Sequence, residues 1–145
     1  MDKYKILKEY EQNLIRIENI IGDGSTNNIQ LNTLGKYLFG NKFKGVYSSN
    51  EMPNIKNNEM YIVNNKKSNQ NGEHWIGVYK YKNKLYMYDT FNRPIRNLSN
   101  YFTNKHIINA NNDTDQSKNE SNCGSRVISW LISFHNYKDK IINII

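Results

Sequence analysis

Two runs rich in β-branched and aromatic residues, Trp75 to Tyr81 and Leu85 to Tyr88, flank the short polar stretch Lys82-Asn83-Lys84. Runs of this kind, separated by so short a break, fold as a β-hairpin. The register of that hairpin decides which residues meet at its open end. If the chain turns through Lys82-Asn83 and Tyr81 faces Lys84, paired residue numbers sum to 165. His74 then falls opposite Phe91, and Asp89 is its diagonal neighbour on the same face. A register sum of 163 sets His74 and Asp89 directly opposite each other. A three-residue loop through Lys84 instead turns Asp89 to the other face, unless a bulge intervenes.

The rest of the chain supplies helices and shorter strands. From Asp2 to Ile21, apolar residues recur at three- and four-residue steps (Ile6, Leu7, Tyr10, Leu14, Ile17, Ile21), and Gly22 and Gly24 stop the pattern. That stripe reads as a helix packed on the domain. Thr26 or Asn27 caps a second helix running to about Phe39, with Gly40 as its stop. Gly45–Ser48 and Met60–Val63 read as strands, with a Pro53-containing loop between them and a polar loop from Asn64 to Gly72. A turn-like stretch over Asn92–Thr103, a last strand over His106–Asn109 and a polar loop over Asn111–Asn122 follow. The final helix runs from Cys123 to about Tyr137 and gathers Val127, Trp130, Leu131 and Phe134 on one side.

At 145 residues and 37% hydrophobic, the chain reads as one domain, 1–145, with a modest core. Eleven tyrosines place many hydroxyls where a partner is needed. A single cysteine excludes an internal disulfide framework and any multi-cysteine zinc site. No metal site is expected, because three scattered histidines and one cysteine make a poor zinc set. No apolar run is long enough to span a membrane, and the amphipathic start Met1-Asp2-Lys3-Tyr4 does not read as a secretory signal. A non-secreted, intracellular protein is expected. The formal net charge of +7 makes nucleic acid a plausible partner, although lysine-rich usage of low-GC coding is the blander explanation.

The chemistry gathers around Cys123. Ser121 or Asn122 would cap the last helix and put the thiol in its first turn. Backbone N–H groups and the helix dipole there favour a thiolate. A small apolar cysteine buried at a helix start is the ordinary alternative. His74 supplies a base that takes the thiol proton and later protonates the leaving amine. Asp89 holds the imidazole in its tautomer, and Gln116 offers a side-chain amide to a developing oxyanion beside the Cys123 backbone N–H. His106 and His135 read as structural. His135 sits at the far end of the helix, too distant for general-base work.

In their order, His74, Asp89, Gln116 and Cys123 resemble the adenovirus-protease (adenain) family and the related SUMO-type proteases. Gly72-Glu73-His74-Trp75 is similar to the family's Gly-x-His-Trp, and Asp89-Thr90-Phe91 to its acidic segment. The stretch from Gln116 to Asn122-Cys123-Gly124 is similar to its oxyanion and nucleophile segment, and Phe43-Lys44-Gly45-Val46-Tyr47 with Pro53 to its upstream segment. The resemblance covers 28–137, leaving 1–24 as an N-terminal helix and linker.

It implies an α+β, papain-like cysteine protease fold, a mixed sheet flanked by helices with the nucleophile at a helix N-terminus. It also implies a viral endopeptidase, of a DNA virus or virophage, that cuts capsid or core precursors at Gly-containing sites during virion maturation, acting as a monomer in the virion and the host-cell virus factory. No cofactor is required for the chemistry. With no second cysteine, a disulfide-linked activator is excluded unless it consumes Cys123, while non-covalent activation by DNA or a peptide stays open. Two further readings also stay open: a peptidase or isopeptidase acting on ubiquitin-like modifiers, and a non-enzymatic, basic nucleic-acid-binding protein.

Overall fold

The computed structural model describes residues 3–22, 27–64, 75–89, 107–110 and 123–145. It is an α+β structure. Helices α1 (Lys3–Ile21) and α2 (Asn28–Phe39) come first. Strands β1 (Phe43–Tyr47), β2 (Met60–Asn64), β3 (Trp75–Tyr81), β4 (Lys84–Asp89) and β5 (Ile107–Asn109) follow, and then helix α3 (Cys123–Tyr137). The five strands lie in sequence order in one mixed sheet. The β2–β3 and β3–β4 pairs are antiparallel, while β1–β2 and β4–β5 are parallel.

Local signals set most boundaries. The Asn27 side chain accepts from the Gln30 N–H at 2.8 Å, and the Gln30 side chain accepts from the Asn27 N–H at 3.0 Å. This reciprocal capping box satisfies two N–H groups that the start of α2 would otherwise leave without partners. Lys82 and Asn83 both take positive φ, 52° and 64°, as a two-residue hairpin turn of matching twist requires. β1 starts two residues earlier than the sequence suggests and ends at Tyr47. Gly45, at φ 128°, lies within a register shift between Phe43 and Val46, so the glycine is a bulge inside the strand and not its first residue. The stretches 65–72, 92–103 and 111–122 lie outside the described residues, as do the proposed caps Thr26, Ser121 and Asn122.

Alternation along the strands divides the core in two. On one face Met60, Ile62, Trp75, Tyr79, Tyr86 and Tyr88 pack with residues of α1, α2 and α3. On the other, Tyr61, Val63, Ile76, Val78, Leu85 and Met87 are covered by Met52 and Ile55 from the β1–β2 connection. α3 is buried on nearly every side, including Ser125, Ser129 and Ser133. It crosses β3 at Gly77, where a β-carbon would stand 3.0 Å from Val127 Cγ1 and 3.4 Å from the Trp130 ring. Absence of a side chain there is what lets the helix lie so close to the sheet.

Candidate active site

The direction of α3 over the sheet can be followed contact by contact. Near its start, Val127 meets Gly77 of β3. One turn on, Trp130 stacks on Tyr88 of β4, with ring centroids 5.4 Å apart and planes 8° from parallel. A further turn on, Phe134 packs on Tyr79 at 4.7 Å, on Tyr86 at 4.8 Å and on Tyr81 at 6.1 Å. The helix therefore runs alongside β3 in the same sense and against β4. Its first residue, Cys123, is carried to the end of the sheet where β3 begins and β4 finishes.

Those strand ends hold the other described parts of the site. β3 starts at Trp75, the residue bonded to His74, and β4 finishes at Asp89. The β3–β4 register runs from Tyr81 opposite Lys84 to Ile76 opposite Asp89, so every pair sums to 165. This is the odd sum on which the His74–Asp89 pairing depends. His74 and Gln116 themselves lie outside the described residues.

Asp89 and Cys123 are both buried, at 2% and 5% exposure. A carboxylate so far from water is costly unless its surroundings compensate it. The pleat puts Asp89 on the face of Leu85 and Met87, whereas Cys123 belongs to the cluster on the α3 face. Acid and thiol thus sit on opposite sides of the sheet. A connection between them passes around the ladder's end, beside Trp75, and needs an intermediary group there.

A cleft of about 310 Å³ opens at this same end of the sheet. Val46, Tyr47 and Ser48 at the finish of β1, Asn64 at the finish of β2 and Trp75 at the start of β3 line it. Asn27 and Asn28 close it from the start of α2. None of these side chains is charged, and four of them carry an amide or hydroxyl besides the Tyr47 phenol. Sequence reading missed the cleft because its walls come from four separate elements. Of its lining, Asn27 reads in the sequence as a helix cap, and only Trp75 and the Phe43–Tyr47 segment belong to the family resemblance.

His135 lies at the opposite end of α3, twelve residues and about 18 Å along the axis from Cys123. Its Nδ1 is 2.9 Å from the Tyr79 hydroxyl, and Lys138 Nζ donates to that same oxygen at 3.0 Å. Lysine can only donate, so the tyrosine proton goes to Nδ1, and the ring carries its own proton on Nε2. Burial, with Lys138 and Lys42 adding to it, pushes the His135 imidazole below its ordinary value. Burial, helped by Tyr81, pushes the Tyr79 phenol up to about 12. This histidine is a structural acceptor.

Among the described residues no cluster of three or more His, Cys, Asp or Glu could hold a metal ion. Nor is any helix among them long and apolar enough to cross a membrane. No protein-family model matches the chain, and no curated protein is similar to it. The functional reading therefore rests on residues and geometry.

Proposed function

We propose that the protein is a cysteine endopeptidase with the papain-like fold of the adenain and SUMO-protease type, cleaving capsid or core precursors of a DNA virus at Gly-containing sites. One observation carries this reading. α3 runs alongside β3, so its Cys123 end coincides with the sheet end formed by Asp89 and by the residue after His74. Two of the four residues singled out for their chemistry, Asp89 and Cys123, thus stand at one end of one sheet, and β3 starts there at the residue that follows His74 in the chain.

In the proposed reaction, His74 accepts the Cys123 proton, and the thiolate attacks the scissile carbonyl carbon. The carbonyl oxygen becomes an oxyanion, which the Cys123 N–H and the Gln116 amide stabilise. As the tetrahedral intermediate collapses, the C–N bond breaks. The imidazolium gives its proton to the amine, leaving a thioester on Cys123. Water, deprotonated by His74, then attacks the thioester carbon, releases the carboxylic acid and restores the thiol. Asp89 stabilises the imidazolium from the far side of the sheet end, which supplies the intermediary position that the split between acid and thiol demands. The cleft beside Trp75, whose described lining carries no charge, accommodates the substrate chain leading to the scissile bond.

The test offers a Gly-Gly-containing capsid-type peptide beside ubiquitin and SUMO C-terminal probes. Cleavage of the peptide by the wild type and not by Cys123→Ala supports the reading. Labelling of Cys123 by a modifier probe alone replaces it with a modifier peptidase. Peptide cleavage unchanged in Cys123→Ala ends the cysteine mechanism.

A further inference from the structure

Helix α1 buries one stripe and turns another outward. Ile6, Tyr10 and Ile17 are its buried residues. They belong to the core that α1 shares with α3, where the Tyr10 hydroxyl lies 3.3 Å from that of Tyr88 and the Tyr137 hydroxyl donates to Glu9. At about 100° per residue, the opposite side of the helix carries Tyr4, Lys8, Glu11 and Ile15. All four are exposed, Tyr4 at 75% and Ile15 at 60%. Their spacing of four, three and four residues is that of a heptad seam. Tyr4 and Glu11 take one of its core positions, and Lys8 and Ile15 take the other. Leu7 and Leu14, both half-buried, flank the row on one side, and exposed Lys5 and Gln12 on the other.

Apolar ends around two opposite charges make this row complementary to its own reverse. Laid antiparallel about a two-fold axis, with paired residue numbers summing to 19, Tyr4 of one copy meets Ile15 of the other and Lys8 meets Glu11. The axis makes each of these contacts twice. It also keeps the same flank of both helices on one side, so that leucines lie beside leucines. Laid parallel, the row sets Lys8 against Lys8 and Glu11 against Glu11, which repulsion opposes. Charge also favours this surface for meeting a like chain. The net +7 holds two copies apart over most approaches. Within α1, Lys3, Lys5, Lys8 and Arg16 are set against Glu9, Glu11 and Glu18, four against three, which leaves only +1. Neither Lys8 nor Glu11 has an ion-pair partner among the described residues.

We propose that the outer face of α1 is a self-association surface, through which two copies of this chain pair as an antiparallel, two-fold symmetric helix dimer. The row spans about 17 Å of helix, so the interface is smaller than the standard size and the dimer is weak and reversible. A bilayer would meet Lys8 and Glu11 in the middle of the row, where each would lose hydration without gaining a partner. In the dimer each gains the other. Cys123, Asp89 and the cleft beside Trp75 take no part in the row. The inference does not depend on the protease reading, and it departs from the monomer that the family resemblance implies.

Sedimentation equilibrium of the full chain from about 5 to 300 µM tests the pairing, since a small interface calls for high protein concentration. The wild type is expected to pass from monomer to dimer in this range. Lys8→Glu and Glu11→Lys each exchange two attractions for two repulsions, and each is expected to raise Kd about tenfold. The double variant Lys8→Glu/Glu11→Lys still sets opposite charges together and is expected to return Kd to within about threefold of the wild type. Ile15→Ser is expected to raise Kd about tenfold. Ile29→Ser removes a similarly exposed apolar side chain, 71% accessible at the start of α2 and outside the row. It is expected to change Kd less than about twofold. Circular dichroism checks that every variant keeps its helices. The proposal is overturned if the wild type stays monomeric to about 300 µM, or if either single reversal associates as the wild type does. It is equally overturned if the double variant is not restored, or if Ile29→Ser weakens association as much as Ile15→Ser.

Discussion

At one end of the sheet, the two described groups singled out for chemistry are buried and different in kind. Asp89 and Cys123 are almost without exposure, and none of the described residues lining the cleft beside Trp75 is charged. At the other end the charged groups are alike: Lys42, Lys44, Lys56, Lys80, Lys82 and Lys84 stand at four neighbouring strand ends around a tight hairpin turn. The first arrangement suits chemistry, because buried groups feel strong local fields and hold fixed positions. The second leaves like charges in water, where each is screened singly. α3 joins the two ends, with Cys123 in its first turn and His135 in its last.

The sharpest way to break this comparison is to remove the thiol. Cys123→Ala should abolish peptide cleavage, a loss on the order of a million-fold in turnover. Its thermal unfolding should be little changed, because the thiol is a small group to remove. Loss of the folded state together with cleavage would mean that Cys123 serves the core alone.

A second variant disturbs the helix that joins them. Gly77→Val places methyl groups where a β-carbon alone would already stand 3.0 Å from Val127. The expected cost is about 1–3 kcal/mol of unfolding free energy. Because α3 must lift next to its Cys123 end, cleavage should fall even at a temperature where the variant stays folded. Denaturant titration with parallel kinetics checks both.

The smallest effect concerns the basic end alone. His135 is held below its ordinary value, so the unfolded chain takes up a proton that the folded chain declines. Stability should therefore fall as pH drops through about 6.5 and level off below the folded value. A Tm lower at about pH 5.5 than at about pH 7.5 is expected, and His135→Gln should reduce this difference. If the variant shows an equal difference, the Tyr79–His135–Lys138 contact is not its source.

Most of the fold near the site was legible because its signals are local. The Lys82-Asn83 turn offered the observed β3–β4 register as one of three, Thr26 or Asn27 marked the start of α2, and Val127, Trp130, Leu131 and Phe134 marked the buried side of α3. The parallel pairing of β1 with β2 and of β4 with β5 was not legible, since partners joined by long connections leave no mark in either strand. The lysine-rich end was missed for the same reason. Lys42, Lys56 and Lys84 are far apart in sequence, and only the sheet order collects them. Cys123 and Asp89 were legible as residue types. Their placement on opposite sides of the sheet end was not, because it follows from where α3 packs.

The central claim is that Cys123 is activated by His74 at the sheet end that Asp89 completes. The most direct measurement is the rate of Cys123 alkylation by iodoacetamide at about pH 6.5 in the wild type and in His74→Ala, with thermal unfolding as the control for folding. The account predicts a rate at least about tenfold lower in His74→Ala, with Tm little changed. Equal rates in two equally folded proteins would contradict it and leave Cys123 as a buried residue of the core.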